Sequence, residues 1–461
     1  MTDHPEALAP ELGLDAAQSR LDNLITPIQQ MEDWPLHLCH GAILGQDMVS
    51  PINVPPSDTA AVDGYAFRHA DLIANLEHAP DHAPDHAPDH APDHALPISG
   101  KAHAGHPLAH AFIAKTAIYI TTGTPMPVAA DPAHSPDTIA MQEHCKLTEK
   151  NGKTWVILPN AIKPNMNFRP AGENIRSGET ALTKGTYLGS AEIGLAAAIG
   201  QHTLSCMRRL RIGILSNGEE LHDITTASSN SASSNPNEAR EYQHAEGHIY
   251  DTNRPMLKSL VQNDGHIVHD GGIIADDPDQ LTAAMIKLTE ACDAVIVTGG
   301  SSGGSEDFAR AAITAAGGRI DFAGINIKPG RPFAAGMIDQ TPIFCIPGNP
   351  VAVFVTYRLL VAPALRRLGG GKPNPPLRFP VTCGFDAKHK SGRTDFIRVT
   401  LTRQTPAKTD HELPVAMPHG RFGAGVLTSV TGADGLLEIS DNHGDVKKGD
   451  ICPFIPFCEA I

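Results

Sequence analysis

The chain has 461 residues, 41% of them hydrophobic, and 36 basic against 51 acidic side chains, a formal net charge of −15. That apolar share builds packed cores and excludes global disorder, and the length suggests roughly three domains. A balance this acidic argues against nucleic acid as a partner, so an anionic substrate would need positive charge concentrated locally.

At the N-terminus, Met-Thr-Asp-His-Pro-Glu lacks the basic region and apolar core of a secretory signal. No stretch reaches transmembrane length, and no membrane partner is expected. Apolar residues at Leu21, Leu24, Ile25 and Ile28 predict an amphipathic helix within 14–34. Proline-rich Val49–Pro56 reads as extended chain. In Ala60-Ala-Val-Asp-Gly-Tyr-Ala66 the Asp-Gly pair signals a turn from which Asp63 projects. From His78 to His94 the unit His-Ala-Pro-Asp repeats, setting five histidines at a spacing of four. A proline in every unit forbids a helix, so this is a low-complexity surface loop, with metal binding the minor alternative.

Short strands are expected at Ala117–Thr121, Asp137–Gln142 and Thr154–Leu158, and an alanine-rich helix at Ala191–Ile199. Residues 225–240, rich in Ser, Asn and Ala, read as a disordered loop. Strands at Arg211–Ser216, His266–Ile274, Ala294–Val297 and Pro342–Ile346 alternate with helices at Pro255–Val261, Asp279–Glu290 and Phe308–Ala316, and an apolar buried helix spans Val351–Leu365. Such alternation is the doubly wound α/β pattern built on a parallel sheet. Gly369-Gly-Gly-Lys-Pro-Asn-Pro-Pro is a linker, and the remaining residues read as a C-terminal β domain. The predicted domains are an N-terminal helical and linker domain (1–50 with 160–205) and an inserted small β domain (51–159, with the low-complexity loop 78–95). An α/β domain (206–370) and a C-terminal β domain (371–461) follow. Eight cysteines stand singly with no CxxC pair, which predicts reduced, buried thiols in a cytoplasmic protein rather than a disulfide framework or zinc site.

The chain is organised around Asp293–Phe308. An apolar strand runs into Thr298-Gly-Gly-Ser-Ser-Gly-Gly-Ser305 and then a helix start near Asp307. Backbone N–H groups of Gly299, Gly300, Ser302, Gly303 and Gly304, with the helix dipole, would form an anion cradle. The loop lacks the Lys-Ser/Thr of a Walker loop and is no GxGxxG fingerprint. A flexible turn is the competing reading.

These segments together resemble one family along nearly the whole chain. Val54-Pro-Pro with Val62-Asp-Gly-Tyr-Ala66, Thr122-Gly-Thr-Pro-Met-Pro127, Asp137–Glu143, Arg169–Gly178, Leu215-Ser-Asn-Gly-Glu-Glu-Leu221, Ile249-Tyr-Asp-Thr-Asn253, the Thr298–Asp307 loop, Lys328-Pro-Gly-Arg-Pro332, Pro347-Gly-Asn-Pro-Val351 and Gly392-Arg393 with Phe396 and Arg398 occur in order. The chain is similar to the molybdopterin molybdenumtransferases and to the E domain of gephyrin. The resemblance implies a Rossmann-like, molybdopterin-binding α/β domain flanked by small β domains. It implies that molybdate and adenylylated molybdopterin give molybdenum cofactor and AMP with Mg²⁺, in a homodimer whose cleft is shared between subunits. Molybdopterin adenylyltransferase and molybdoenzyme maturation proteins are the implied partners.

Carried over by position, the essential acids fall on Asp63, Glu220, Asp251 and Asp307. Substrate-binding positions fall on Thr122, Arg169, Thr298, Gly299, Gly300, Ser302, Gly303, Gly304, Lys328, Arg331, Pro347, Gly348 and Asn349. Independent chemistry agrees: pyrophosphate and molybdate call for fixed cations such as Lys328 and Arg331. A phosphoanhydride is commonly cleaved with a carboxylate-held metal, for which Asp251 and Asp307 are the candidates. For each acid the competing reading is a helix cap or a solvated turn. Departures from the family pattern are Ser301, Gly303, Ser305, Asn174, Asn217, Arg331, Ala352 and Ala424. They leave open a carrier or scaffold paralogue that holds molybdopterin without turnover. The preceding adenylyltransferase is argued against by the Lys-Pro-Gly-Arg-Pro stretch and the flanking β domains.

Overall fold

The computed structural model describes residues 11–72, 94–159, 162–223, 247–299, 306–402 and 413–458. The chain divides into two compact units, Met1–Gln46 with Lys184–Ala191 and Thr203–Ile461, and Asp47–Thr183 with Glu192–His202.

The larger unit opens with helix α1 (Leu14–Leu24), whose Leu14, Ala17 and Leu21 are buried. The helix predicted within 14–34 stops there because Pro27 cannot continue it and Ile25 is already extended. Met31–Pro35 forms a strand instead, antiparallel to Thr203–Met207. Next come strands β1 (Arg211–Asn217), β2 (Ile267–Ile274), β3 (Ala294–Gly299), β4 (Arg319–Ala323), β5 (Ile327–Lys328), β6 (Ala334–Ile338) and β7 (Thr341–Ile346). Helices α2 (Asn253–Asn263), α3 (Pro278–Ala291) and α4 (Glu306–Ala315) alternate with them. The central sheet has the order β2-β1-β3-β7-β6-β4. β2, β1, β3 and β7 are parallel, as expected, whereas β6 and β4 add an antiparallel edge that the alternation pattern did not reveal.

Both faces of this sheet are covered, which is why Ile212–Leu215 of β1 and Ala294–Val297 of β3 carry no polar side chain. Ile212, Ile214, Ala294 and Ile296 pack with α1, α2 and the helix after β7. Leu215, Val295 and Val297 face α3 and α4 through Leu281, Met285, Ala312 and Ile313. α3 starts where Asp277 accepts from Asp279 N and Gln280 N, with Pro278 at the first helical position. After β7 the chain stays helical through α5 (Pro350–Thr356), a π-turn at Tyr357–Val361 and α6 (Ala362–Leu368). The wide turn absorbs Pro363, which has no N–H to donate.

Strands β8 (Phe379–Cys383), β9 (Thr394–Thr402), β10 (Val415–Pro418), β11 (Gly435–Ile439) and β12 (Ile451–Pro456) form the C-terminal domain. They pair in the ring β9-β10-β8-β12-β11 and back to β9, a closed barrel around Val381, Val399, Leu437 and Phe454. β5 joins its edge, with Ile327 opposite Thr394 and Lys328 opposite Asp395.

In the smaller unit the strands at Thr138–Met141, Gly64–Phe67, Ala117–Ile120, Ala95–Ala102, Lys153–Ile157 and Lys146–Lys150 pair in that order. Tyr65 and Phe67 enter one core and Ala66 the other, so this strand is apolar throughout. The predicted strands at 117–121, 137–142 and 154–158 all belong to this sheet. The helix expected at Ala191–Ile199 is Ser190–Ala198. The disordered loop expected at 225–240 and most of the His-Ala-Pro-Asp tract lie outside the described residues.

All eight cysteines are free, as expected, but Cys458 is exposed and Cys145 only half-buried. No described helix is long and apolar enough to cross a membrane.

Candidate functional site

The chain leaves β1 towards β2 on one side and returns to β3 on the other, so the carboxyl ends of β1 and β3 meet at the switch point of the sheet, where ligands of open α/β sheets bind. There Asn217 is the register partner of Gly299. Gly299 has φ +114°, and a Cβ on it would lie 2.0 Å from Asn217 O, so only glycine fits. Thr298, fully buried, donates its hydroxyl to Pro347 O at 3.1 Å. Asn253 Nδ2 donates to Thr298 Oγ1 at 3.1 Å and to Gly348 O at 2.6 Å, tying β3, α2 and the loop after β7 together. Thr298, Gly299, Pro347 and Gly348 are therefore brought to one place. Gly300, Ser302, Gly303 and Gly304, with Ser301 and Ser305, lie outside the described residues, as does the side chain of Asp307, near the start of α4.

Asp251 is held by its neighbour three residues on. Its carboxylate accepts from Arg254 N at 3.1 Å and from Arg254 Nε at 3.0 Å, and its side chain is 1% exposed. The first bond is the cap expected as the competing reading, and the second an i,i+3 ion pair. Arg254 also reaches both oxygens of Asp270 at 2.7 Å and the carboxylate of Asp223. Burial weakens its hold on the proton, but the bonds to Asp270, Asp223 and Asp251 reverse this and set its pKa above the usual guanidinium value. Glu220 is exposed, in the turn between β1 and Leu221–His222.

In the smaller unit Asp63 accepts from Thr122 N at 2.7 Å and Thr122 Oγ1 at 2.8 Å. These two bonds, the backbone one first, hold the carboxyl below its ordinary pKa. The pair was chosen from two separate motifs, and the fold joins them. Arg169 lies opposite Thr59 in a two-stranded pairing and bonds Glu173 at 2.5 Å.

A cavity of about 780 Å³ opens between the Lys-Pro-Gly-Arg-Pro stretch, the loop after β7 and the barrel. Lys328, Arg331, Pro347 and Asn349 line it, with Lys388, Lys390, Arg393 and Arg398 from the barrel. Six cations face Glu11, Asp386 and Asp395 there, an excess of three positive charges in a chain of net −15. The local concentration of charge that an anionic substrate requires is present. Gly330, at φ +122°, fits because a Cβ would meet Thr356 Cγ2 at 2.6 Å.

Arg398 is the distinctive member of this group. It is 6% exposed, and its Nε donates to Ser429 Oγ at 3.0 Å and its Nη2 to Gly423 O at 3.3 Å. It has no carboxylate partner among the described residues, whereas Arg393 pairs with Asp395 at 2.7 Å and Arg331 with Glu11 at 2.6 Å. Burial alone lowers its pKa below the usual guanidinium value. A buried, uncompensated guanidinium is expensive unless an anion arrives to meet it.

Comparison with known proteins bears on this arrangement directly. Residues 12–200 match the MoeA N-terminal region (domain I and II), 213–367 the probable molybdopterin binding domain, and 380–457 the MoeA C-terminal region (domain IV). A molybdopterin molybdenumtransferase of Haemophilus influenzae is 33% identical over 447 residues, covering 97% of this chain and 98% of that one. The chain belongs to the molybdopterin molybdenumtransferase family. Gephyrin of Dictyostelium discoideum is 26% identical over 473 residues, covering 93% of this chain and 59% of that protein. The crystal structure of the molybdopterin biosynthesis MoeA protein of Pyrococcus horikoshii OT3 superposes with a TM-score of 0.72 at 26% identity, covering 97% of this chain and 100% of that one.

Membership of the molybdenumtransferase family gives the chain a transferase role in molybdenum cofactor biosynthesis. The central α/β domain, β-rich flanking regions and C-terminal β domain are likewise those of the family. Sequence reasoning placed Arg398 within a family motif but gave it no role, because only the fold shows that it pairs with no carboxylate among the described residues. Lys388 and Lys390 escaped notice altogether, since lysines in a turn-rich stretch carry no pattern. Among the described residues, no group of three or more His, Cys, Asp or Glu side chains is placed to hold a metal ion. Asp251, with both oxygens bonded to Arg254, does not fit the metal-ligand role in this arrangement.

Proposed function

We propose that the protein transfers molybdenum from molybdate to adenylylated molybdopterin, giving molybdenum cofactor and AMP. The observation that carries the reading is Arg398, a buried cation without a carboxylate, in a cavity where Lys328, Lys388 and Lys390 form no ion pair among the described residues. Molybdate and the phosphates of the substrate are anions of the kind this charge would hold. Lys328 and Arg398 would neutralise the charge that builds on the departing phosphate, and the Thr298–Gly304 backbone would cradle the pterin side of the pyrophosphate. Asp63, Glu220, Asp251 and Asp307 enter as essential acids through the family resemblance, and so does the Mg²⁺ requirement. No step is assigned to a metal, because Asp251 is engaged by Arg254.

The test is AMP release from adenylylated molybdopterin by the purified protein, with and without Mg²⁺, as molybdate is titrated. Release should rise with molybdate, and Arg398→Ala should slow it about 10²- to 10³-fold, the effect of removing one preorganised charge-stabilising group. Asp307→Ala should also fall silent, and full activity in that variant would remove Asp307 from the reaction. Tight pterin binding without any release would overturn the transferase reading in favour of a carrier.

The reading includes a cytoplasmic homodimer sharing its cleft between subunits. Mixing inactive Asp63→Asn and Arg398→Ala protomers should then restore part of the activity, as each mixed dimer keeps one intact cleft. No restoration, despite subunit exchange, would rule out the shared site.

A further inference from the structure

The cavity is larger than a bare oxyanion needs, and one wall is unlike the rest. Phe422 lines it with 62% of its surface exposed, whereas the other described Phe, Tyr and Trp side chains, Tyr187 and Phe379 apart, are buried or half-buried. It makes no ring contact among the described residues. Leaving a phenyl ring in water forfeits a large share of the burial energy an aromatic side chain can supply. A floppy loop does not account for it, because the backbone on both sides is fixed. His419 N donates to Arg398 O at 3.0 Å, Gly423 O accepts from Arg398 Nη2 at 3.3 Å, and Ala424 O accepts from Val351 N at 3.0 Å. The ring is thus carried on a held segment whose next residue is bonded to the buried guanidinium of Arg398, which pairs with no described carboxylate.

We infer that Phe422 is a stacking platform for the flat ring of a phosphorylated heterocycle, purine or pterin, whose phosphate is held by Arg398 and Lys328. The inference rests on the reading of this cavity as the anion site and adds the part of the ligand that charge alone cannot recognise. A cation fixes phosphate without regard to what the phosphate carries. A ring face nearby favours ligands with a π-surface over equally charged ones without it. Aromatic stacking on a base is worth about 1–3 kcal/mol by alanine substitution, which corresponds to about five- to hundredfold in affinity.

The experiment is a calorimetric titration of the full chain with three probes: AMP, neopterin monophosphate and ribose 5-phosphate. The last has the phosphate but no ring. Phe422→Ala should weaken AMP, neopterin monophosphate or both by about five- to hundredfold, leave ribose 5-phosphate within about twofold, and be rescued by Phe422→Trp. Whichever of the two ring ligands suffers identifies the ring. Equal weakening of all three probes would mean that Phe422 only shapes the loop, and no change for any would mean that the ring faces nothing. Either result overturns the inference while leaving molybdate-dependent AMP release intact. If the unaltered protein binds none of the probes and releases no AMP, the anion-site reading and this inference fall together.

Discussion

Arg331 and Glu11 meet at the edge of the cavity, with Arg331 Nη2 2.6 Å and Nε 2.8 Å from Glu11 Oε1. Glu11 is fixed from the backbone as well, since its carbonyl accepts from Asn326 Nδ2 at 3.1 Å. The carboxylate therefore occupies a cation that an incoming oxyanion would use. Arg331 is 73% exposed on its side chain, so the pair contributes little stability, about 0–1 kcal/mol. Glu11→Gln should leave the unfolding midpoint unchanged and tighten inorganic phosphate or molybdate binding by about two- to fivefold at low salt. Raising the salt should shrink that gain, because exposed charges are screened over about 10 Å at 0.1 M. Identical affinities for both proteins at low salt would show that Glu11 does not compete.

At the level of elements, what the sequence disclosed follows from how local the cause is. β1 and β3 were legible because burial on both faces demands an unbroken apolar run, and α3 because Asp277-Pro278 starts it with side-chain and backbone signals at one spot. The strand at Met31–Pro35 was not legible, since its only reason to exist is its partner at Thr203–Met207, far along the chain. β4 and β6 are short, include glycine and alanine, and gain order from β7 rather than from their own pattern. Barrel closure through β9 and β11 is a tertiary fact of the same kind. The candidate site divides similarly. Lys328, Arg331 and the glycine loop sit in contiguous motifs. By contrast, the network on Arg254 draws Asp223 and Asp270 from 31 and 16 residues away, and only the Asp251 partner at i,i+3 could have been anticipated. Arg398 in Thr394–Thr402 reads as an ordinary strand cation until the fold shows that its bonds go to Ser429 and Gly423 and to no described carboxylate.

For the whole molecule, pH dependence of folding stability gathers these buried charges into one observable. His266, just before β2, has its pKa pulled down to about 4 from 6.5, chiefly by burial and then by Arg209, with Asp293 opposing. Between those values the unfolded chain takes up a proton at this position and the folded chain does not. Stability therefore rises with pH through that window and is lost as pH falls from 6.5 towards 4, at up to about 1.4 kcal/mol per pH unit and on the order of 3 kcal/mol in all. Asp293 and Asp270 act in a different window. Burial raises their pKa values, but bonds from Arg208 and Arg211 to Asp293, and from Lys258 and Arg254 to Asp270, lower them below 3.8 overall. Their contribution is present above the unfolded value and lost as pH falls through the lower folded one. Urea unfolding of the protein and of His266→Asn, measured from pH 7 down to about pH 2, should separate the two effects. The variant should show a shallower loss between pH 6.5 and 4 while keeping the steep decline below it. Parallel curves for the two proteins above pH 4 would show that His266 is protonated in the folded state as readily as in the unfolded one.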